Sequence, residues 1–320
     1  MTETPLLEVH NLTKTFFGRH HRKLLAVDNV SFAIHRGESF GLVGESGCGK
    51  STVARLIMGL EQPDSGEIIL NGQHIHTMSE RALRPLRMHY QMVFQDAASS
   101  LNPRRRIAEI LADPIRQHHL LPEAQIPDRV AEILETVGLQ PDMASRYPHE
   151  FSGGQKQRIC IARALGLQPD LLVLDEPVSA LDVSIQAQIL NLLRDLQQRL
   201  HLTYLFIGHG LGAVRYISDQ MAVMYLGRIL ETGPSETLFT HCLHPYTLAL
   251  LDASPSARYA DRNRNRVILR GEIESLPASG CPLLHRCPAA ADACAHQLPV
   301  LHEITPGHSA SCTRAELLRR

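Results

Sequence analysis

Apolar residues over the first forty positions come in short runs broken by polar or turn-forming ones. Residues 6–43 therefore read as strands with turns, ending in the apolar strand Phe40-Gly41-Leu42-Val43. The period then changes. Val53, Leu56, Ile57 and Leu60 fall at i, i+3, i+4 and i+7, which predicts a helix starting at Lys50. Residues 64–72 (DSGEIILNG) read as a strand bounded by turn residues. From about 96 to 150 the chain is Pro-interrupted and mostly helical in pattern, which suits an inserted subdomain. Leu171–Leu174 and Thr203–Ile207 are short apolar runs of buried-strand type. Between them lies an amphipathic helix with Ile185, Ile189, Leu192, Leu193, Leu196 and Leu200 on one face. Strand, helix and strand in alternation predict an α/β core with a parallel sheet. After about Pro255 the run RYADRNRNR reads as a solvated linker, and a cysteine-bearing tail follows it.

Composition narrows the function classes. A chain of 320 residues can hold one large domain, or one domain and an appendage. Its net charge of −1 and lack of Trp argue against nucleic acid as a partner. No run approaches the ~20 apolar residues of a membrane span. The N-terminus MTETPLLEVH lacks the basic and apolar segments of a secretory signal. A cytosolic setting is expected, and there the seven cysteines are thiols or metal ligands rather than disulfides.

The first chemical motif is Gly44-Glu45-Ser46-Gly47-Cys48-Gly49-Lys50-Ser51, which fits G-x-x-x-x-G-K-[ST] between a predicted strand and a predicted helix. Its glycines let backbone N–H groups turn inward around phosphates, and the helix N-terminus adds partial positive charge. Lys50 would neutralise β- and γ-phosphates and Ser51 would ligate Mg²⁺, with Thr52 beside it. Cys48 lies beside a helix N-terminus, where a thiol pKa tends to fall, so its alkylation is expected to inhibit activity. Nucleotide binding follows from this motif, but it does not separate one P-loop ATPase from another.

Further residues do. Phe151-Ser152-Gly153-Gly154-Gln155 resembles the signature of ATP-binding-cassette (ABC) ATPases, which the family usually writes with Leu first. Leu171–Glu176 is an apolar strand delivering two carboxylates, as in a Walker B motif. Gln95 stands where the family places its Q-loop glutamine. Ser179-Ala180-Leu181-Asp182 matches the D-loop, and His209 the switch histidine. The chain is thus identified as resembling an ABC transporter ATPase. Ser100–Arg104 (SLNPR), Asp175–Leu190 (DEPVSALDVSIQAQIL), His244–Thr247 (HPYT), Gly280-Cys281-Pro282 and Arg286-Cys287-Pro288 resemble its oligopeptide/dipeptide importer branch. Nickel and glutathione importers resemble that branch too, so cargo stays open, as does a less favoured non-transport ABC ATPase.

The resemblance implies an α/β P-loop ABC ATPase core with an antiparallel β subdomain, an inserted α-helical subdomain and a small Cys-containing C-terminal extension. Residues 1–250 would form the nucleotide-binding domain, about 96–150 its helical subdomain, and 251–320 the extension. Asp175, Ser51 and Gln95 would hold Mg²⁺; Glu176 would act as general base, while Gln95 and His209 sense the γ-phosphate. Phe16 would stack on adenine. Ser152, Gly153, Gly154 and Gln155 would cap ATP held by a facing cassette, a paralogue in a heterodimer. The other implied partners are two integral-membrane permease subunits and, indirectly, an extracytoplasmic solute-binding protein. The implied place is the cytoplasmic face of the inner membrane.

Two features depart from the pattern or go beyond it. The family usually has Asp after the switch histidine, whereas this chain has Gly210 and then Gly212. Each glycine costs about 1 kcal/mol inside a helix, so a looser switch and slower hydrolysis are expected. In the tail, Cys281, Cys287, Cys294 and Cys312 have the spacing C-x₅-C-x₆-C-x₁₇-C. Four thiolates suit an Fe–S cluster or zinc, and tails of the branch are associated with a [4Fe-4S] cluster; unliganded thiols in a loose extension are the alternative.

Overall fold

The computed structural model describes residues 4–17, 23–253, 269, 271 and 279–315. Twelve strands are present among them: β1 (Leu7–Phe17), β2 (Lys23–Ile34), β3 (Ser39–Val43), β4 (Ser65–Leu70), β5 (Gln73–His74), β6 (Tyr90–Val93), β7 (Leu171–Asp175), β8 (Thr203–Gly208), β9 (Gln220–Tyr225), β10 (Arg228–Pro234), β11 (His302–Thr305) and β12 (His308–Ala310). They form a four-stranded sheet, β2-β1-β4-β5, and an eight-stranded sheet, β11-β12-β10-β9-β3-β8-β7-β6. The small sheet is antiparallel throughout. In the large one β6, β7, β8, β3 and β9 run parallel, and β10, β12 and β11 continue antiparallel.

Every residue of β3, β7 and β8 is buried. That explains their unbroken apolar runs, since a parallel sheet covered on both faces has no polar side to present. Alternation survives as a choice between two cores. Leu172, Leu174, Tyr204, Phe206, Met221 and Val223 point into one, with Ile110, Leu111, Ile133 and Ile161. Leu171, Val173, Leu205, Ile207, Ala222 and Met224 point into the other, with Val53, Ile57 and the inner face of the small sheet.

The region read as a helical insertion contains the helices Ala97–Ser100, Ile107–Gln117 and Ile126–Thr136. The amphipathic helix runs from Val183 to Leu200 and buries Ile189, Leu190, Leu193 and Leu196, whereas Leu200 is exposed at its last turn. The helix predicted from Lys50 begins there but ends at Ile57. Gly59 takes φ 65° just past that end, so Leu60 falls outside the periodic face and is exposed. Among the described residues no helix is long and apolar enough to cross a membrane.

Residues 302–310 extend the large sheet. Strand β12 pairs with β10, placing Ala310 opposite Glu231 and Ser309 opposite Thr232. Glu231 is fully buried and accepts from Leu243 N at 2.6 Å, His244 N at 3.1 Å and His308 Nε2 at 2.7 Å. A buried carboxylate is tolerable only with such partners. His244 Nδ1 accepts from Tyr246 N at 3.1 Å, and its ring also meets the Ser311 backbone. Burial drives the pKa of His244 down to about 4, so it is neutral at pH 7. The unfolded chain, with an ordinary imidazole near ~6.5, takes up that proton first. The stability this group confers is therefore complete above that pH and is lost as pH falls toward about 4. Calorimetric Tm should drop across this window, and less steeply in His244→Gln; an unchanged slope in that variant would assign the acid loss to other groups.

Candidate functional site

The large sheet brings four chain segments to one edge. The phosphate-loop motif follows β3, and Lys50 opens the helix directly behind it. Gly49 has φ 108°, and a Cβ there would lie 2.1 Å from the Ala26 carbonyl oxygen, so no other residue fits. Lys50 is 4% exposed. Its Nζ donates to Gly44 O at 2.8 Å and Glu45 O at 3.0 Å, and lies 3.7 Å from Cys48 Sγ.

The strand β7 delivers Asp175, which is buried and whose Oδ1 accepts from Ser51 Oγ at 2.9 Å. Burial raises the Asp175 pKa, partly offset by the Ser51 hydrogen bond. A buried carboxylate and a hydroxyl in contact form an oxygen donor pair that a hard divalent cation such as Mg²⁺ would stabilise. The next residue, Glu176, turns the chain with φ 48° and anchors its N–H on Ile207 O at 2.9 Å. Its Oε2 accepts from Gln95 Nε2 at 3.0 Å and lies 3.2 Å from His209 Nδ1. The three residues that sequence reading assigned to water activation and γ-phosphate sensing thus meet at one oxygen. Ser179 of the D-loop braces the same turn, its hydroxyl donating to Glu176 O at 3.1 Å.

These groups line a cavity of about 1040 Å³. The loop residues Gly44–Gly49 other than Cys48, the helix residues Ser51 and Thr52, and Gln95, Glu176 and His209 all line it. Half-buried Phe16 also lines it, its ring 5.4 Å from Lys14 Nζ. Asp175 and Cys48 stand behind this surface, both buried. The signature residues are elsewhere: Ser152, Gly153, Gly154 and Gln155 do not line this cavity. Ser152 caps the helix Gly153–Leu165, accepting from Gln155 N at 3.3 Å, while Gln155 Oε1 accepts from Ser152 N at 3.0 Å. A Cβ on Gly154 would lie 2.5 Å from Ile185 Cγ2.

Two expectations change, and a third finds no support among the described residues. Cys48 sits at the helix start, yet its thiol pKa is raised rather than lowered, because burial outweighs the nearby Lys50 charge. Gly210 precedes the helix Leu211–Ile217 as its cap, where glycine is well tolerated, so only Gly212 carries the helical penalty. Cys281, Cys287, Cys294 and Cys312 line one small pocket beside His244 and Arg314. Burial pushes the Cys281 thiol up to about 11 and raises Cys287 and Cys312 as well. Among the described residues, however, no set of three His, Cys, Asp or Glu side chains stands where it could hold a metal ion.

Sequence reading also missed what holds the phosphate loop. The Tyr246 hydroxyl accepts from Glu45 N at 3.0 Å, and Arg286 donates to both Glu45 carboxylate oxygens, at 2.8 and 3.0 Å. The phrases HPYT and RCP were the visible signals, but nothing in them pointed to Glu45.

Comparison with known proteins agrees with this geometry. An ABC transporter model matches residues 27–179, and one for the oligopeptide/dipeptide transporter C-terminal region matches 230–294. A putative peptide import ATP-binding protein of Brucella ovis is 52% identical over 98% of this chain and 99% of its own length. The chain belongs to the ABC transporter ATPase family. An oligopeptide transport ATP-binding protein of Bacillus subtilis is 47% identical to this ABC ATPase over 96% of both chains. A dimeric ATP-binding cassette in a post-hydrolysis state with ADP and Pi superposes with TM-score 0.66 and 27% identity, covering 72% of this chain and 98% of that one. A cassette of a Clostridium perfringens ABC transporter complex gives TM-score 0.66 and 29% identity, covering 74% and 91%. As an ABC ATPase the chain binds ATP with Mg²⁺ and hydrolyses it.

The buried, raised Cys48 thiol should react slowly with iodoacetamide at neutral pH and faster as pH climbs through the alkaline range. Mass spectrometry of native protein would show this, and rapid labelling of Cys48 at pH 7 would contradict it.

Proposed function

We propose that this ABC ATPase energises import of peptides through a membrane permease, and that the cavity beneath the phosphate loop is its hydrolytic site. The observation that carries hydrolysis is the meeting of Gln95 and His209 on Glu176 Oε2 beside Lys50 and Ser51. Peptide cargo is supported by the two peptide-transport relatives and by the matched C-terminal region.

Phosphoryl transfer to water needs charge neutralisation and a placed nucleophile more than covalent help from the protein. Loop N–H groups from Gly44 to Gly49 and the Lys50 ammonium take the phosphates. Lys50 exchanges its hydrogen bonds to Gly44 and Glu45 carbonyls for phosphate oxygens. Ser51, Asp175 and Gln95 would hold Mg²⁺, which would supply charge neutralisation for the phosphates. Glu176 accepts a proton from the attacking water, and His209 and Gln95 orient the γ-phosphate and that water. Phe16 stacks on the base.

Ser152 and Gly153 are exposed and apart from this cavity. That supports their serving a second cassette's nucleotide, with the helix N-terminus behind them aimed at its γ-phosphate. We take that second cassette to be a paralogue, and the pair to sit on the cytoplasmic face of the membrane below two permease subunits. An extracytoplasmic solute-binding protein would feed that permease. Residues 1–250 act as the nucleotide-binding unit, about 96–150 as its permease-facing helical subdomain, and 251–320 as the extension. In Glu176→Gln, ATP binding should persist while phosphate release in the assembled complex falls about 10²–10⁴-fold; near-normal turnover would sink the assignment.

The tail supplies the four thiols that a [4Fe-4S] cluster needs, and they line one pocket; loading would have to draw them closer, since no three of them now stand where they could hold a metal. Any such group is structural or regulatory, since hydrolysis needs no electron transfer. Anaerobic purification should then yield a brown protein whose absorbance near 400 nm disappears in Cys287→Ser. A colourless preparation without iron would remove the cluster.

A further inference from the structure

Glu45 is an awkward residue for a phosphate loop. It lines the nucleotide cavity, and its carboxylate adds a negative charge where a polyanion must bind. Left alone, it would repel the phosphates through a partly desolvated space in which charges are poorly screened. The chain supplies a counter-charge from 241 residues away. Arg286 faces the carboxylate in a fork, with Nη1 2.8 Å from Oε2 and Nη2 3.0 Å from Oε1. Bidentate pairing of this kind is the strongest and most directional ion pair a carboxylate makes.

The fork is built rather than accidental. The Arg286 side chain is 11% exposed, and its guanidinium lies against the Tyr225 ring, 5.7 Å from its centroid, with Nη1 3.3 Å from the Tyr225 hydroxyl oxygen. The Tyr225 ring packs on Tyr246 at 4.7 Å between centroids. Both tyrosines are essentially inaccessible. The Arg286 backbone is fixed by a turn in which Arg286 N and Cys287 N both donate to Leu283 O, at 2.9 and 2.8 Å, and Leu283 is buried. At the other end, Glu45 N donates to Tyr246 Oη and Glu45 O accepts from Lys50 Nζ. Side chain, N–H and carbonyl of one loop residue are therefore tied to the tail, to Tyr246 and to the lysine.

We propose that Arg286 is a positioning residue for ATP: it neutralises the Glu45 carboxylate in the phosphate loop, so the C-terminal tail sets ATP affinity. Arg286 does not line the nucleotide cavity, so it acts through Glu45. Its loss exposes the carboxylate to the nucleotide and weakens ATP binding while the water-activating cluster at Glu176 is left alone. The expected signature is a raised KM with kcat nearly unchanged.

This inference rests on the phosphates lying beside Lys50, and Lys50→Ala tests that reading separately. Retained ATP affinity in Lys50→Ala removes the phosphate cradle whatever Arg286 does. The Arg286 test is a mutant cycle in the full chain, with ATP affinity measured by direct titration and KM and kcat measured in the assembled complex. Arg286→Ala should raise the ATP Kd and KM by on the order of tenfold, less at high salt, with kcat within about twofold. Arg286→Lys should lose only part of this. Adding Glu45→Gln to Arg286→Ala should restore affinity, because the unpaired carboxylate is gone. Glu45→Gln alone should bind ATP as well as the unaltered chain or better, since it leaves a cation beside the phosphates. That last variant decides the matter even if Arg286→Ala does not fold. Weaker ATP binding in Glu45→Gln, or an Arg286→Ala defect that Glu45→Gln fails to relieve, would show a brace without electrostatic purpose and overturn the proposal.

Discussion

Parallel pairing of β6, β7, β8 and β3 fixes where chemistry can occur. Val93 stands opposite Leu174, Asp175 opposite Ile207, and Val43 opposite Gly208. Four strands therefore end level with one another, and the segments beyond their ends are delivered to the same rim. Those segments carry Gln95, Glu176, His209 and the phosphate loop. A slip of one residue in any of these pairings would turn a strand's side chains to the opposite core and pull its terminal group out of reach. The full burial of β3, β7 and β8 makes such a slip costly, so the apolar interior specifies the position of the polar site. Open α/β sheets in general place ligands at the carboxyl ends of their strands, and the register here shows how that placement is enforced.

Three buried ionic groups illustrate how the chain carries charge inside. Glu231 has enough donors to stay satisfied, and it fastens the chain's last strands to β10. Among the described residues Lys50 is met by loop carbonyls and a thiol, weaker partners than the phosphates proposed for it. Asp175 meets the Ser51 hydroxyl among the described residues and has a pKa raised by burial, which suits the cation proposed there. The fully partnered group is architectural, and the two more weakly partnered ones belong to the proposed site. Weaker partnering marks the working part of the molecule.

Much of this was legible in the sequence, because glycine spacing, apolar runs and strand-terminal carboxylates are local signals. Gly44–Ser51 could be placed by what its backbone has to do, and Asp175 and Glu176 by the apolar strand that ends in them, whereas His209 and Gln95 were found only through the resemblance to ABC ATPases. Leu60 misled because periodicity does not register a helix end set by Gly59. Cys48 misled because proximity to a helix terminus is visible in sequence and burial is not. The pairing of β12 with β10, and the contacts of Tyr246 and Arg286 with Glu45, join residues from 77 to 241 positions apart. No window along the chain contains both partners, so the tail read as an extension and its role at the nucleotide stayed hidden.

The Arg286–Glu45 fork has a thermodynamic corollary. Binding free energies around a closed cycle must balance, so any preference the ordered tail confers on ATP is returned by ATP to the ordered tail. Nucleotide occupancy then becomes a determinant of how firmly the segment around Cys281 and Cys287 is held. Any agent that acts on those thiols enters the same cycle, because Arg286 and Cys287 share one turn on Leu283. The cell's ATP level and the chemical state of the tail cysteines are thereby made to report on each other through a single ion pair.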